Sequence, residues 1–206
     1  MRNKAGILCM VLGAALFFGA LSLFLYNERE SVEADRSAAD HLQQLVAQIE
    51  VRRENGESDP KEDLNIPLEY LQPEDLEMTE VEIGGYGYIG YLYFPTLELE
   101  LPIMADWDYT RLKIAPCRYT GTVRGEDLVL MGHNYTRHFG RLGRLTEGDS
   151  VIFTDMDGNA TAYRVIARDI LAPTAVAEMT AGDFDLTLFT CTYGGQSRIT
   201  VYCDRV

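Results

Sequence analysis

The texture of the hydrophobic pattern changes along the chain. From Ala5 to Tyr26, AGILCMVLGAALFFGALSLFLY, no side chain is charged, and a helix of that length rising 1.5 Å per residue crosses a hydrocarbon layer about 30 Å thick. Between Ser31 and Glu54 the apolar residues Leu42, Leu45, Val46 and Ile49 fall at helical spacing among charges and amides, which predicts an amphipathic helix with one packing face. His41 lies on that helix and is given no chemical role, because such a stripe is ordinarily a packing surface. From Gly87 onward the runs shorten. YIGYLYF (Tyr88 to Phe94), LELELPI (Leu97 to Ile103), DLVLMG (Asp127 to Gly132), SVIFTD (Ser150 to Asp155), TAYRVIA (Thr161 to Ala167), DLTLFTC (Asp185 to Cys191) and RITVYC (Arg198 to Cys203) have strand length and composition.

Within LELELPI the leucines at 97, 99 and 101 are expected to face inward and Glu98 and Glu100 outward. Asp157-Gly158, between two of the runs, marks a hairpin. DWDYTRLK (Asp106 to Lys113) and VAEMTAGDF, just before Asp185, are short helical candidates. About seven or eight short strands with little helix predict a closed, mostly antiparallel barrel of about 120 residues. The stretch from Asn55 to Met78 gathers Pro60, Pro67 and Pro73 among many acids and reads as a linker. The expected organisation is therefore a cytoplasmic N-terminus over 1–4, a transmembrane anchor over 5–26, a helix and acidic linker outside the cell over 27–82, and a barrel domain over 83–206.

Charge orients the anchor. Arg2 and Lys4 precede the apolar run, whereas Glu28, Glu30, Glu33 and Asp35 follow it, so the positive-inside bias keeps the short N-terminus cytoplasmic and places the rest outside at the membrane surface. A cleaved signal peptide fits less well, having a shorter apolar region of roughly 7–15 residues and a small-x-small cleavage site. The formal net charge of −14 argues against nucleic acid as a partner. Of the four cysteines, Cys9 lies in the apolar run, leaving Cys117, Cys191 and Cys203. With an odd number outside the membrane, at least one thiol is unpaired within the chain. No CxxC spacing occurs, so neither a zinc ribbon nor a thioredoxin-type site is supported. Spacing leaves the pairing of Cys117 with Cys203 open.

Chemistry concentrates in FTCTYGGQSR, Phe189 to Arg198. A nucleophilic thiol needs a base or a cation beside it. If the runs ending at Cys191 and beginning at Arg198 pair as antiparallel neighbours, strands about 4.8 Å apart bring the guanidinium to the space in front of the thiol. There it can hold an acyl oxygen as charge develops. LVLMGHNYTRHFGRLGRL (Leu128 to Leu145) puts His133 at the tip of a strand, where an imidazole can share a proton with the thiol and protonate a leaving amine. His138 on the same loop is its rival.

GHNYTRHFGRL, LTLFTC and RITVYC together resemble the sortases, membrane-anchored cysteine transpeptidases of Gram-positive bacteria. Thr187, Leu188, Phe189, Thr190 and Cys191 fill the family's Thr-Leu-x-Thr-Cys motif, His133 follows Gly132, and Arg198 opens the next strand. FPTLELELPI and GDSVIFTDMDGNATAYRVI resemble the family's early strand pair and its central hairpin, so the resemblance runs from Tyr88 to Val206. It implies an eight-stranded sortase-type β-barrel with short helices, and His133, Cys191 and Arg198 as the catalytic residues. The implied reaction cleaves a sorting signal of the Leu-Pro-x-Thr-Gly type through a thioester and passes the acyl group to an amine of a cell-wall precursor or a pilin.

No cofactor is implied. A calcium site, known in some sortases, has no placeable ligand set here, because the acids are spread over a solvated surface. The short Cys191-to-Arg198 loop leaves the subclass open. Asp59-Pro60 is similar to the start of the lid of some pilin-type sortases, but Lys61 stands where an aromatic residue is expected, and no lid is assigned. Two other readings stand beside this one: a zinc site built from His133, His138 and Cys191, and a membrane-tethered barrel without activity.

Overall fold

The computed structural model describes residues 2–57, 72 and 76–206. The linker prolines and Asp59-Pro60 lie outside the described residues. One helix, α1 (Arg2–Asn55), replaces the two separate helices expected over 5–26 and 31–54. From Ala20 to Asn55 there is neither Gly nor Pro, so nothing in the backbone interrupts the i to i−4 ladder at the boundary between the apolar and amphipathic parts. The helix stops where Gly56 takes a left-handed φ of 68°. Gly56 N–H then donates to Arg53 O at 3.2 Å and Glu57 N–H to Arg52 O at 3.0 Å, the paired closing bonds of a glycine-terminated helix. The N-terminal part is long and apolar enough to cross a membrane, and the barrel does not cover it.

The barrel is built from β1 (Val81–Ile83), β2 (Tyr86–Phe94), β3 (Leu99–Met104), β4 (Cys117–Thr120), β5 (Leu128–Gly132), β6 (Ser150–Asp155), β7 (Ala160–Leu171), β8 (Leu186–Cys191) and β9 (Arg198–Arg205), with a four-residue helix α2 (Val176–Met179) before β8. Neighbours follow the order β1-β2-β3-β4-β5-β8-β9-β7-β6, and β6 returns to pair with β2. Eight strands, β2 to β9, therefore close on themselves, while β1 is a short hairpin arm on β2. Closure leaves the barrel no long unpaired edge. The pairs are antiparallel except β3–β4 and β5–β8. The domain boundary expected at 82/83 falls inside β1. That strand, like β4, is too short to show a pattern of its own.

Leu97, Leu99 and Leu101 are buried and Glu98 and Glu100 exposed, as the alternation predicts. The strand itself begins only at Leu99, because Pro95–Leu97 form a 3-10 turn and Glu98 takes φ 47°. The core is filled by Leu92, Phe94, Leu101, Leu130, Phe153, Leu188 and Val201 among others. The Asp155-to-Asn159 turn joins β6 to β7, with Thr154 opposite Ala160. All four cysteines are free, and Cys117 and Cys203 are fully buried. Burial raises the Cys117 thiol to about 12 and pushes that of Cys203 upward as well.

The amphipathic part of α1 packs on the barrel. Leu45 and Ile49 join Ile83, Tyr88, Met104 and Leu112 in a second cluster, and His41 stacks on Tyr88 while its Nδ1 donates to Ser37 O at 2.6 Å. Arg52 donates to Asp157 Oδ1 at 2.9 Å, and Thr79 Oγ1 donates to Asp157 Oδ2 at 2.6 Å. A pair of this kind adds little net stability after desolvation but fixes where the helix end sits.

Closure depends on a close approach at Gly90, where a Cβ would lie 2.1 Å from Thr154 O on β6 and where φ is +147°. Gly90→Ala is expected to lower the unfolding free energy by about 2–3 kcal/mol through backbone strain and steric conflict. Denaturant unfolding monitored at Trp107 measures it, and a variant as stable as wild type would show that this seam is able to relax.

Candidate active site

Three strands meet where the quoted motifs end. β8 runs parallel to β5 with Gly132 opposite Thr190, and antiparallel to β9 with Cys191 opposite Arg198. Leu186 and Leu188 of β8, Leu128 and Leu130 of β5 and Val201 and Cys203 of β9 point into the core. By the two-residue period, Cys191 and Arg198 point out on the same face, because directly opposed residues share a side. Continuing the parallel register by one residue sets His133 beside Cys191. Cys191 and Arg198 thus stand side by side on the outer face of adjacent strand ends, and His133 is the residue that follows the last paired position of the third strand. The thiol of Cys191 is partly exposed, unlike those of Cys117 and Cys203.

Local chemistry shapes this row. The loop TYGGQS closes on itself: Thr192 N–H donates to Ser197 O (2.9 Å), Ser197 N–H to Thr192 Oγ1 (3.0 Å) and Gly195 N–H to Thr192 O (2.8 Å). Gly194 and Gly195 both have positive φ, 86° and 73°, which is why a Gly-Gly pair sits between the thiol and the arginine. Arg198 Nη1 donates to Gly195 O at 3.3 Å and Ser197 O at 3.2 Å, which holds the guanidinium at the mouth of the loop. Asn134 Nδ2 donates to Thr192 O at 3.5 Å, linking the His133 loop to the residue after Cys191.

Gly132 precedes His133 for a packing reason. A Cβ there would lie 2.6 Å from Cγ of Phe139, and Phe139, whose N–H donates to His133 O at 3.2 Å, turns the loop back under the strand end. His133 is half-buried and stacks on Tyr135, with ring centroids 4.0 Å apart and planes at 12°. Burial lowers its basicity, which the side chain of Asn134 and the carboxylate of Glu30 oppose. Its Nδ1 is buried without a hydrogen-bond partner. Beside the row, Phe189, Val129 and Met179 form an apolar floor with Tyr119, Met131 and Leu171, and Trp107 stacks on Tyr119 at 5.6 Å.

His138 is not in the row. It is 1% exposed, edge-on to Tyr135 at 5.4 Å and buried against the Ala34 backbone of α1. Among the described residues, no three His, Cys, Asp or Glu side chains converge as metal ligands. Tyr135 lies inside GHNYTRHFGRL, but no spacing rule announces its ring stack on His133.

The sortase-domain family model matches residues 92–206, and the chain belongs to the sortase family. Among solved structures, sortase C1 from Streptococcus suis is 28% identical, over 58% of this chain and 73% of that one, with a TM-score of 0.52. Sortase C from Clostridium perfringens, solved with the C-terminal cell wall sorting motif, is 24% identical over 81% of this chain and 90% of that one, at a TM-score of 0.54. Sortase A from Corynebacterium diphtheriae is 20% identical over 86% and 93%, also at 0.54. At these last two identities the likeness concerns the fold. Comparison with curated proteins gives no match.

The buried His138 makes stability pH-dependent. Burial pushes its imidazole from 6.5 down to about 4, so between those values the unfolded chain binds a proton that the folded chain does not. The stabilisation is fully present above about pH 6.5 and is lost as pH falls toward 4, a swing on the order of 3 kcal/mol. His138→Leu is expected to lose less Tm than wild type between pH 7 and pH 4.5. Parallel loss in both proteins would assign the acid sensitivity to other groups.

Proposed function

We propose that this protein is an active sortase transpeptidase working on the outside of the cell membrane of a Gram-positive cell, with α1 as a single-pass anchor. Its substrate class is secreted protein bearing a Leu-Pro-x-Thr-Gly-like sorting signal, and its acceptor is an amine of a cell-wall precursor or a pilin. The observation that carries this reading is the pairing of Cys191 with Arg198, with His133 following the Gly132–Thr190 pair on the other side of the same strand. The sorting motif held by the Clostridium perfringens sortase C structure supports the substrate class.

In the first step the Cys191 sulfur attacks the carbonyl before the scissile bond. A C–S bond forms and the C–N bond breaks, with the thiol proton passing through His133 to the leaving amine. Arg198 faces the carbonyl oxygen as it becomes negative. An acceptor amine then attacks the thioester, a new C–N bond forms, the C–S bond breaks, and the proton lost by the amine returns through His133 to the sulfur. The apolar floor of Phe189, Met131 and Leu171 beside the thiol suits the leucine and proline of such a signal.

Incubating the chain with candidate signal peptides and reading the intact mass is expected to reveal an acyl adduct on wild type and none on Cys191→Ala. Arg198→Ala is expected to slow turnover by about 10²–10³-fold, the scale of one lost oxyanion donor. Lysine should rescue it poorly, since a point charge does not reproduce a planar fork. An adduct on Cys191→Ala would remove the thiol from its role. Full rescue by Arg198→Lys would reduce the arginine to a charge.

A further inference from the structure

The outer face that carries Cys191 and Arg198 continues along the sheet. Across β7 and β9, Leu171 pairs with Arg198, Asp169 with Thr200 and Ala167 with Tyr202, so each pair lies about 7 Å further along the strands than the one before. Over the last two pairs is a groove of about 420 Å³, lined by Asp169, Glu178, Asp183, Phe184, Tyr202 and three alanines. Phe184 stacks on Tyr202, with ring centroids 4.6 Å apart and planes at 28°, which gives the groove an aromatic wall. No Lys, Arg or His lines it, and among the described residues none of the three carboxylates forms an ion pair. Thr200, directly opposite Asp169 and two residues from Tyr202, shares their face. It is fully buried and its hydroxyl has no hydrogen-bond partner, so the floor keeps a polar group for a ligand to satisfy. Helix α2 divides the groove from the apolar floor of the active site. Its Met179 packs with Phe189 and Val129, while Ala177 and Glu178 line the groove.

We propose that this groove binds a lysine-like cationic side chain of the amine acceptor, at a position next to the reacting amine. This rests on the transpeptidase reading above. An alkyl ammonium matches the lining, because its apolar stem lies along the aromatic wall and the alanines while its head meets carboxylates and the face of an aromatic ring. A metal ion does not match, since no three ligating side chains converge among the described residues. The sorting signal is assigned to the apolar floor across α2, which leaves the groove to the second substrate. The attacking amine must be a free base, and three carboxylates would hold it protonated. The cation in the groove is therefore a neighbour of that amine, and the one or two strand steps from Asp169 and Tyr202 to Arg198 set their separation.

The test uses the full chain in detergent micelles. Binding of a blocked tetralysine peptide is measured by calorimetry in the Cys191→Ala chain. Neutralising the groove with Asp169→Asn, Glu178→Gln and Asp183→Asn together is expected to weaken binding about tenfold. Neutralising three exposed acids elsewhere, Glu82→Gln, Glu100→Gln and Glu147→Gln, should change it less than about twofold. Ala177→Phe, which fills the groove and leaves its charge unaltered, should weaken binding as well. In turnover with a signal peptide as donor, the groove triple variant is expected to raise KM for a lysine-flanked amine acceptor and not for a glutamine-flanked one. Absence of tetralysine binding, equal weakening by the two triple variants, or undiminished binding to Ala177→Phe would overturn the proposal. Slower acylation by the donor with an unchanged acceptor KM would overturn it too, and give the groove to the sorting signal. Calorimetry needs no turnover, so its outcome is separate from whether any peptide is transferred.

Discussion

The site depends on the register of one strand. β8 is hydrogen-bonded in parallel to β5 and antiparallel to β9, with Thr190 opposite Gly132 and Cys191 opposite Arg198. The register is held because Leu186 and Leu188 fill the core between the same neighbours, and a slip of one residue would expose both and turn Cys191 inward. Burial of two leucines and exposure of one thiol are the same constraint seen from opposite faces. Thr190 adds a specific lock, its hydroxyl donating to Gly132 O at 2.8 Å inside the barrel.

The loops beyond the strand ends carry that register outward. Phe139 packs where Gly132 has no side chain, and Gly194 and Gly195 supply the left-handed backbone that lets Thr192 and Ser197 exchange hydrogen bonds. His133 and Arg198 are thereby held from opposite sides of Cys191 by loops whose conformations are determined by a few small residues. The free thiols divide along the same line. Cys117 and Cys203 are sealed in the interior with raised pKa values, while Cys191 is partly exposed.

A single uninterrupted helix joins this site to the apolar span. Arg52 with Asp157 fixes its far end, Leu45 and Ile49 its middle, and Glu30 with Lys113 the end near Tyr26. A helix tied at both ends and the middle holds the barrel in a set orientation relative to the span. In that orientation the His133 loop lies close to where the apolar run ends.

Most of the architecture was legible in the sequence because its signals are local. Alternating leucines, the Asp157-Gly158 turn and the uncharged run from Ala5 to Tyr26 each report their own surroundings, and the motifs around His133, Cys191 and Arg198 are contiguous. What the sequence left undetermined depends on contacts between distant segments. β1 and β4 hold only three and four residues and exist because long neighbours offer them partners. The joining of two expected helices into one, the common face of the thiol and the guanidinium, and the removal of His138 to the buried side of its loop all follow from packing. Glu30 reads in the sequence as one acid among many. Only folding brings Lys113, from another part of the chain, within hydrogen-bonding distance of it.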